Sequence, residues 1–253
     1  IRRDAMRFGD TVLRELEQRV LGIAPGRWLS LASEAELIDW MREAGTVSAR
    51  LIAEQWEQSL GKSTVALLPF VGPGDLRGAL AELLERGDEF SRAPEWEGTP
   101  RETGSLARQR SHPLVAAALR ARGNTVGVRL LARLVELSAL AQALASGTGE
   151  SPRCVRAGAI GKGVGCSAVE TARGTLVHYV RVAAERVATY RIVAPTEWNF
   201  HPRGAFSAGV SNFPADTAAR AERAVRLMAF ALDPCVAYSI ELVYTGREER
   251  DDA

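Results

Sequence analysis

Cys235 is the residue in this 253-residue sequence whose type and setting best suit metal chemistry. It lies in the stretch ALDPCVAYSIE, residues 231–241, directly after an Asp-Pro step. Proline fixes its own φ and restricts the residue before it, so the backbone approaches Cys235 along a defined path. A thiolate binds soft metals, and the apolar residues that follow predict a site shielded from water. Most cysteines are simply small buried residues, which is the alternative reading.

The other motifs that suggest chemistry are weaker. GKST (61–64) resembles the end of a phosphate-binding loop, but that pattern requires glycine where Trp56 stands. GAIGKGVG (158–165) lacks the spacing of a dinucleotide-binding loop and is interpreted as a flexible or closely packed loop. We interpret Cys154 and Cys166 as plain buried or surface residues. The histidines lack the spacing of a zinc site: His112, His178 and His201.

The elements that must position these residues are mainly helices in the first half of the chain. SEAE (33–36) is a capping box that begins a helix, which bends near Gly45. Residues 87–104 are polar and rich in Gly and Pro, so they predict a long loop. Residues 126–145 predict the clearest helix, because five residues repeat at a spacing of three to four and form a buried stripe: Leu130, Leu134, Leu137, Ala141 and Leu144.

The pattern changes in the second half. Residues 174–182 and 186–194 are rich in β-branched and aromatic residues and predict a β-hairpin. A proline-punctuated loop (195–204) and a helix from about 215 to 232 follow, and residues 236–244 form a strand or a buried helical turn. The predicted fold class is α+β, mainly α, with a helical bundle and a small antiparallel hairpin or sheet. We expect a single domain over 1–253, with a helical part (1–146) and a part (147–253) that contains the hairpin and the helix before Cys235.

The composition excludes several classes of partner. Apolar residues make up 46% and charged residues 25% of the chain, and the net charge is +1. This near-neutral balance provides no field that would attract nucleic acid or an anionic membrane surface. We find no apolar run of the ~18–20 residues that span a bilayer. Three cysteines do not make a disulfide framework, so a reducing cytoplasm is expected.

Four segments, in this order, resemble the large subunit of nickel–iron hydrogenases. They are EWEGTPRETGSLAR (95–108), ETARGTLVHYVRV (170–182), APTEWNFHPRG (194–204) and ALDPCVAYSIE (231–241). The resemblance covers roughly residues 95–245 and implies the fold of that subunit. It departs from the family where the enzyme needs its metals. In the enzyme the cysteine three residues after the Asp-Pro-Cys cysteine helps to hold nickel, and Tyr238 stands there in this chain.

Two further departures point the same way. The family's terminal histidine, which marks where the precursor is trimmed, is replaced by Glu241, and the N-terminal pair of cysteine motifs is absent from these residues. A tyrosine oxygen cannot replace a bridging thiolate on soft nickel. The resemblance therefore implies hydrogenase assembly proteins of the HupK and HoxV type, which look like large subunits that have lost the nickel site.

The resemblance also implies roles for individual residues. Proteins of this type are thought to carry an iron unit with cyanide and carbonyl ligands, and no nickel. Cys235 would supply the thiolate to iron, Arg173 and Thr196 would donate hydrogen bonds to the cyanides, and Pro195 would form the wall that faces the carbonyl. Glu170 would orient Arg173 or play a structural part. An ordinary salt bridge for Arg173 and a turn-forming hydroxyl for Thr196 are the alternatives.

The function expected from the resemblance is that of a non-catalytic scaffold or chaperone in hydrogenase maturation. Its partners would be the precursor of the hydrogenase large subunit and other maturation proteins, in the cytoplasm, without nucleic acid and without membrane insertion. Exposed apolar or Arg-rich surface should then flank the metal site, with the loop at 158–165 as a mobile edge. Two alternatives remain: a true hydrogenase large subunit, and a metal-free structural subunit of the same fold.

Overall fold

The computed structural model describes residues 2–147, 154–211 and 213–243. Its helices are α1 (Arg2–Glu15), α2 (Pro25–Ser30), α3 (Glu34–Glu43), α4 (Val47–Gln58), α5 (Pro73–Arg77), α6 (Ala79–Arg86), α7 (Asp88–Arg92), α8 (Ser105–Gln109), α9 (Pro113–Arg122), α10 (Val126–Ser146), α11 (Pro195–Asn199), α12 (Ala205–Ser211) and α13 (Ala218–Leu232). A π-helical segment, Leu16–Leu21, continues α1. The strands are β1 (Ala66–Leu67), β2 (Arg101–Glu102), β3 (Val155–Gly161), β4 (Val164–Thr171), β5 (Gly174–Ala183) and β6 (Arg186–Val193).

The longer helices begin where side chains cap them. The Ser33 hydroxyl accepts from the backbone N–H of Glu36, and the Glu36 carboxylate accepts from the backbone N–H of Ser33. The predicted capping box is therefore confirmed. The Thr125 hydroxyl caps α10 by accepting from the Val128 N–H, and the Thr217 hydroxyl caps α13 by accepting from the Arg220 N–H. The expected bend near Gly45 is a full break, because Gly45 has a φ of 65° and separates α3 from α4.

The core side of α10 differs from the predicted stripe. Leu130 and Ala141 are buried, but Leu137 and Leu144 are 43% and 37% exposed. The helix carries apolar residues on more than one side, and the packed side includes three others: Val128, Leu131 and Val135. α1 packs along α10, where a Cβ on Gly9 would lie 2.4 Å from the backbone N of Ala145. The segment 87–104, expected to be a loop, contains α7 and β2.

The hairpin prediction is confirmed and extended. β5 and β6 pair antiparallel through a turn at Ala184 and Glu185, both of which have positive φ, as tight hairpin turns require. β4 and β3 add to this hairpin, and the four-stranded sheet has the order β3-β4-β5-β6. β1 and β2 form a separate short parallel pair. The predicted class, α+β and mainly α, is therefore confirmed.

The glycine-rich stretch 158–165 is not the loop that its composition predicts. Its residues belong to β3 and β4, joined at Lys162 and Gly163. This turn lies at the end of β4 opposite Thr171, about 23 Å away at ~3.3 Å per residue. It is therefore not an edge of the site described below, which lies at the Thr171 end.

Two clusters of buried apolar residues stabilise the chain. The larger cluster joins most of the helices around α10 and includes Trp28, Leu131 and Met228. The smaller lies between α5–α7 and one face of the four-stranded sheet and includes Leu84, Tyr179 and Trp198. In the described ranges, no helix is long and apolar enough to cross a membrane.

Candidate functional site

Cys235, Thr196 and Arg173 lie together at one end of the four-stranded sheet. The Cys235 Sγ is 3.3 Å from the Thr196 Oγ1, within hydrogen-bond distance of sulfur. The Arg173 Nε is 3.4 Å from a carboxylate oxygen of Asp233, two residues before Cys235. Three segments distant in sequence thus meet: the turn between β4 and β5, the start of α11, and the segment that follows α13.

Asp233 ends α13 and turns the chain towards Thr196. It has φ 53° and ψ 66°, a left-handed conformation that Asp tolerates better than most non-glycine residues, and its N–H donates to Ala229 O. Pro234 follows, so the helix cannot continue. The Asp-Pro step therefore fixes the direction in which Cys235 leaves the helix.

Cys235 is exposed, and the prediction of a shielded thiolate is wrong. The residues after it form neither a strand nor a helical turn over the described range 236–243. Val236 is 59% and Tyr238 is 50% exposed, so this apolar segment does not fold over the sulfur. A periodicity argument could not detect this, because a short apolar run has the same composition whether it is buried or open. An accessible sulfur can meet a ligand that arrives from solution.

Arg173 is placed by close contact between two backbone segments. It lies in the turn Thr171–Gly174, where the Thr171 hydroxyl accepts from the Arg173 N–H and donates to Gly174 O. Gly174 has a φ of 137°, and a Cβ there would lie 2.4 Å from a Thr103 side-chain carbon. Gly104 has a φ of 120°, and a Cβ there would lie 3.2 Å from the Arg173 carbonyl oxygen. Glycine is required at both places, so the turn that presents Arg173 is fixed against the segment before α8.

Pro195 and Thr196 lie on a helix, and the prediction of a loop over 195–204 is wrong for its first half. Pro195 occupies the first position of α11, where its missing N–H leaves no hydrogen bond unmade. It is buried, and Thr196, beside it, is partly exposed and points to Cys235. The second half of the expected loop leads into α12.

Glu170 does not contact Arg173 through any hydrogen bond or ion pair of the described residues. Its carboxylate accepts from Arg156 at 2.8 Å, from Arg108 at 3.2 Å and from the Thr175 hydroxyl at 3.0 Å. Arg108 also binds Glu136, at 2.5 Å. The structural alternative for Glu170 is therefore the one that the geometry favours: it joins α8, α10 and the sheet behind the site.

A narrow cleft beside Arg173 contains a second, buried ion pair. Its lining includes Glu102, Arg129, Arg133 and Arg173. Arg129 donates to both carboxylate oxygens of Glu102 at 2.8 Å, and the two side chains are 2% and 1% exposed. Arg129 is thus neutralised, whereas Arg133 donates to the carbonyl oxygens at the end of α13, which carry partial negative charge.

The electrostatics of Arg133 link the cleft to the candidate site. Burial lowers the pKa of its guanidinium, an effect opposed by the Asp233 and Glu136 carboxylates and reinforced by the nearby positive charge of Arg173. Two cationic side chains therefore converge at the end of α13 with one exposed carboxylate, Asp233, between them. Such a surface suits a ligand with partly negative atoms.

Few side chains near Cys235 could coordinate a metal ion together with it. Over residues 2–147, 154–211 and 213–243, no group of three or more His, Cys, Asp or Glu side chains could hold a metal ion. Cys166 is buried, and burial raises the pKa of its thiol to about 11, so it is an inert core residue. Cys154 is half-buried. Tyr238 and Glu241, the two residues at which the sequence departs from the hydrogenase pattern, are both exposed.

Sequence reasoning missed Asp233 and Arg133 as parts of the site. Asp233 belongs to the Asp-Pro-Cys motif, and its polar side chain two residues before Cys235 was an available signal. Arg133 gives no such signal, since it is one of several arginines on helices and only the folded chain brings it to the end of α13.

Comparison with known proteins agrees with this geometry. Residues 116–241 match the family described as nickel-dependent hydrogenase. The resemblance predicted from the four motifs is therefore confirmed.

Several of the similar proteins are named, more particularly, as hydrogenase expression/formation proteins. The chain is 35% identical to the hydrogenase expression/formation protein HoxV of Cupriavidus necator, over 91% of this chain and 62% of that protein. It is 36% identical to the hydrogenase expression/formation protein HupK of Rhizobium leguminosarum bv. viciae, over 60% of this chain and 41% of that protein. The chain thus spans about two fifths to three fifths of the length of these relatives. The reduced Ni-Fe-Se hydrogenase of Desulfomicrobium baculatum superposes with a TM-score of 0.46 at 14% identity, over 81% of this chain and 60% of that one.

Proposed function

We propose that this chain is a non-catalytic scaffold in the maturation of nickel–iron hydrogenases, which carries an iron unit with cyanide and carbonyl ligands to the precursor of the large subunit. The observation that carries the proposal is the exposed Cys235 sulfur, 3.3 Å from Thr196 and flanked by the Arg173–Asp233 pair. The names of its relatives support a role in hydrogenase formation.

The residues present fit a metal that arrives with its own ligands better than a bare ion. A bare transition-metal ion needs about four protein ligands, and the described residues provide no such cluster. An iron that already holds two cyanides and one carbonyl needs few more, and one thiolate is a soft ligand suited to it. The iron unit is here the cargo of the protein, and its chemistry stays with its ligands.

The surroundings of Cys235 have donors for that cargo. Arg173 offers planar N–H groups to a cyanide nitrogen, and its present partner Asp233 is an exposed carboxylate at 3.4 Å, a weak contact that a ligand can replace. The Thr196 hydroxyl can donate to a second cyanide, and buried Pro195 supplies an apolar wall. One thiolate at an open surface allows release, which an enzyme does not need and a carrier does.

Tyr238 supports a carrier over an enzyme. It stands where the enzyme family has the cysteine that helps to hold nickel, and it is 50% exposed. A phenol oxygen is a poor ligand for soft nickel, so this chain lacks the bridge that holds nickel next to iron in the enzyme. The partners proposed are accordingly a donor of the iron unit among the maturation proteins and the large-subunit precursor as acceptor.

The experiment compares Cys235→Ser with Cys154→Ser, after production of each chain together with the hydrogenase maturation proteins. We expect Cys235→Ser to lose iron and the infrared bands of cyanide and carbonyl, with an unchanged circular dichroism spectrum. Cys154→Ser, which changes a half-buried cysteine, should keep both signals. Native iron content and full hydrogenase maturation with Cys235→Ser would refute the carrier and leave a chaperone that only resembles the enzyme.

A further inference from the structure

The four-stranded sheet has two faces of very different kind. One face is covered by α5–α7 and buries Cys166, Ala168, Val177, Tyr179 and Val193. On the other face, several large side chains of the described strands are strongly exposed: Val155 64%, Val182 43%, Val187 63%, Tyr190 57% and Ile192 42%. We call this second surface the open face.

The open face can be read directly from the strand register. Three rows run across the sheet: Val155–Val169–Leu176, then Ala157–Ser167–His178–Ile192, then Ala159–Gly165–Val180–Tyr190. Val182 pairs with Val187 beyond the third row. Within these described strands, the rows contain no Lys, Arg, Asp or Glu. The solvent-facing side of an antiparallel sheet is normally polar, so an uncharged open face indicates a surface that is covered in use.

The two polar aromatic side chains on this face satisfy each other. The His178 Nδ1 and the Tyr190 hydroxyl are 2.8 Å apart, and their rings stack at 5.9 Å between centroids. A hydrogen bond made within the face lowers the cost of removing both groups from water. The pair is thus compatible with burial against another apolar surface.

The relief of the open face is complementary to itself. In the second and third rows the residues on the β3–β4 side are small, Ala157, Ala159, Gly165 and Ser167, and they leave a shallow depression beside Val155 and Val169 of the first row. On the β5–β6 side the paired residues are large, His178, Val180, Tyr190 and Ile192, and they form a ridge. A two-fold axis through the centre of the face places the ridge of each copy in the depression of the other, as an isologous interface requires.

We propose that a second copy of this chain covers the open face, and that the two sheets pack face to face in a two-fold symmetric dimer. Aligned sheets pack about 10 Å apart with strands crossing at about 30°, which matches an apolar, uncharged surface of this kind. A partner that binds through charge would find no counter-charge on the rows of this face.

The size of the face sets the strength of the dimer. Four strands at ~4.8 Å spacing and seven residues of ~3.3 Å each give a flat area of about 450 Å² per copy. Two faces then bury about 900 Å² before the relief of the side chains is added, near the ~1,000 Å² at which specific interfaces begin. An interface of this size lies at the weak end of the range for specific complexes, so the dimer should dissociate on dilution.

Sedimentation equilibrium of the complete chain from about 1 to 200 μM tests the proposal. We expect monomer at the lowest concentration and dimer at the highest. Ile192→Lys, on the ridge, should weaken association at least tenfold, because the added charge would be buried in the partner's depression. The matched control is Val47→Lys, an equally apolar and 69% exposed residue at the start of α4, which should leave association unchanged.

Two further variants keep the test decisive. Ala159→Leu stays apolar, so the strand folds, but it fills the depression and should also weaken association at least tenfold. Ala157→Glu mixed with Ile192→Lys should associate better than either variant alone, since the two-fold axis brings these positions together. A monomer at 200 μM overturns the proposal, whatever else covers the face. A dimer that survives both Ile192→Lys and Ala159→Leu overturns it too, because association would then use another surface.

Discussion

Two arginine–carboxylate pairs lie beside the same cleft and differ in almost every respect. Arg129 and Glu102 form two hydrogen bonds of 2.8 Å and are 2% and 1% exposed. Arg173 and Asp233 meet through one contact of 3.4 Å and are 44% and 43% exposed. The first pair joins α10 to β2, and its burial leaves neither side chain free to bind another partner. The second lies beside Cys235, where a weak contact can be exchanged for a ligand.

The difference shows why an ion pair should be read from its burial and not from its residue types. Two buried charges are stable only while both are present, since either one alone is left unpaired in a medium of low dielectric constant. An exposed pair contributes little, and its members remain available to other partners. In this chain the buried pair, Arg129–Glu102, stabilises the fold, and the exposed pair, Arg173–Asp233, is available to a ligand beside it.

The largest loss of stability is expected from a substitution at Glu102. Glu102→Gln keeps the shape of the side chain but leaves Arg129 buried without a counter-charge, and we expect the free energy of unfolding to fall by about 3–5 kcal/mol. Urea denaturation measures this loss. The matched control is Asp233→Asn in the exposed pair, for which we expect a change below about 1 kcal/mol. Equal losses for the two variants would contradict the contrast drawn here.

Arg173→Leu probes the exposed pair by function. We expect iron retention to weaken by about 10–100-fold, because the arginine supports the cargo without binding the metal itself. The free energy of unfolding should change by less than about 1 kcal/mol. Iron content after dialysis and a urea titration give the two numbers. A large loss of stability with unchanged iron retention would assign Arg173 a structural role instead.

Tyr238→Cys should strengthen iron binding, whereas Arg173→Leu should weaken it. It adds a second thiolate three residues after Cys235, at an exposed position of a segment without regular structure. Two thiolates hold soft iron more firmly than one, so release to the large-subunit precursor should slow while iron content stays the same or rises. The rate of iron transfer to the precursor is the measurement. Transfer at the unchanged rate would mean that residue 238 does not reach the metal.

The smallest expected effect concerns Cys166 in the sheet core. Burial raises the pKa of its thiol to about 11, so the folded chain keeps a proton that the unfolded chain loses near pH 8.5. The unfolded state binds fewer protons in this window, and stability therefore falls as the pH rises from about 8.5 to 11. Thermal unfolding from pH 8 to 11 should show a slope that is shallower in Cys166→Ala. If stability fell equally steeply with pH in both chains, the Cys166 thiol would not be the group responsible.

The sequence predicted those parts of the fold that depend on local patterns. The capping box at Ser33, the length of α10 and the hairpin of β5 and β6 all follow from residues close together in the chain. The buried side of α10 did not, because apolar residues lie on more than one side of the helix and only its neighbours select among them.

The site was predicted as a set of residues and not as an arrangement. Motif order identified Cys235 and Thr196, and the structure brings their side chains to 3.3 Å. The contact of Glu170 with Arg108 and the contact of Arg173 with Asp233 depend on tertiary packing across 60 or more residues, which no spacing rule contains. The exposure of Cys235 depends in the same way on the path of the chain after Pro234.

The lack of regular structure after α13 has a consequence for the motion of the chain. Within the described residues 234–243, the hydrogen bond between Cys235 and Thr196 is the one that attaches this segment to the rest of the protein. A segment with so few protected backbone groups opens with a small free energy, far below that of global unfolding. Its amides should exchange with deuterium in seconds, while those of α10 remain protected. In the proposed carrier, cargo would therefore enter and leave by local opening, at a rate that the stability of the helical core does not limit.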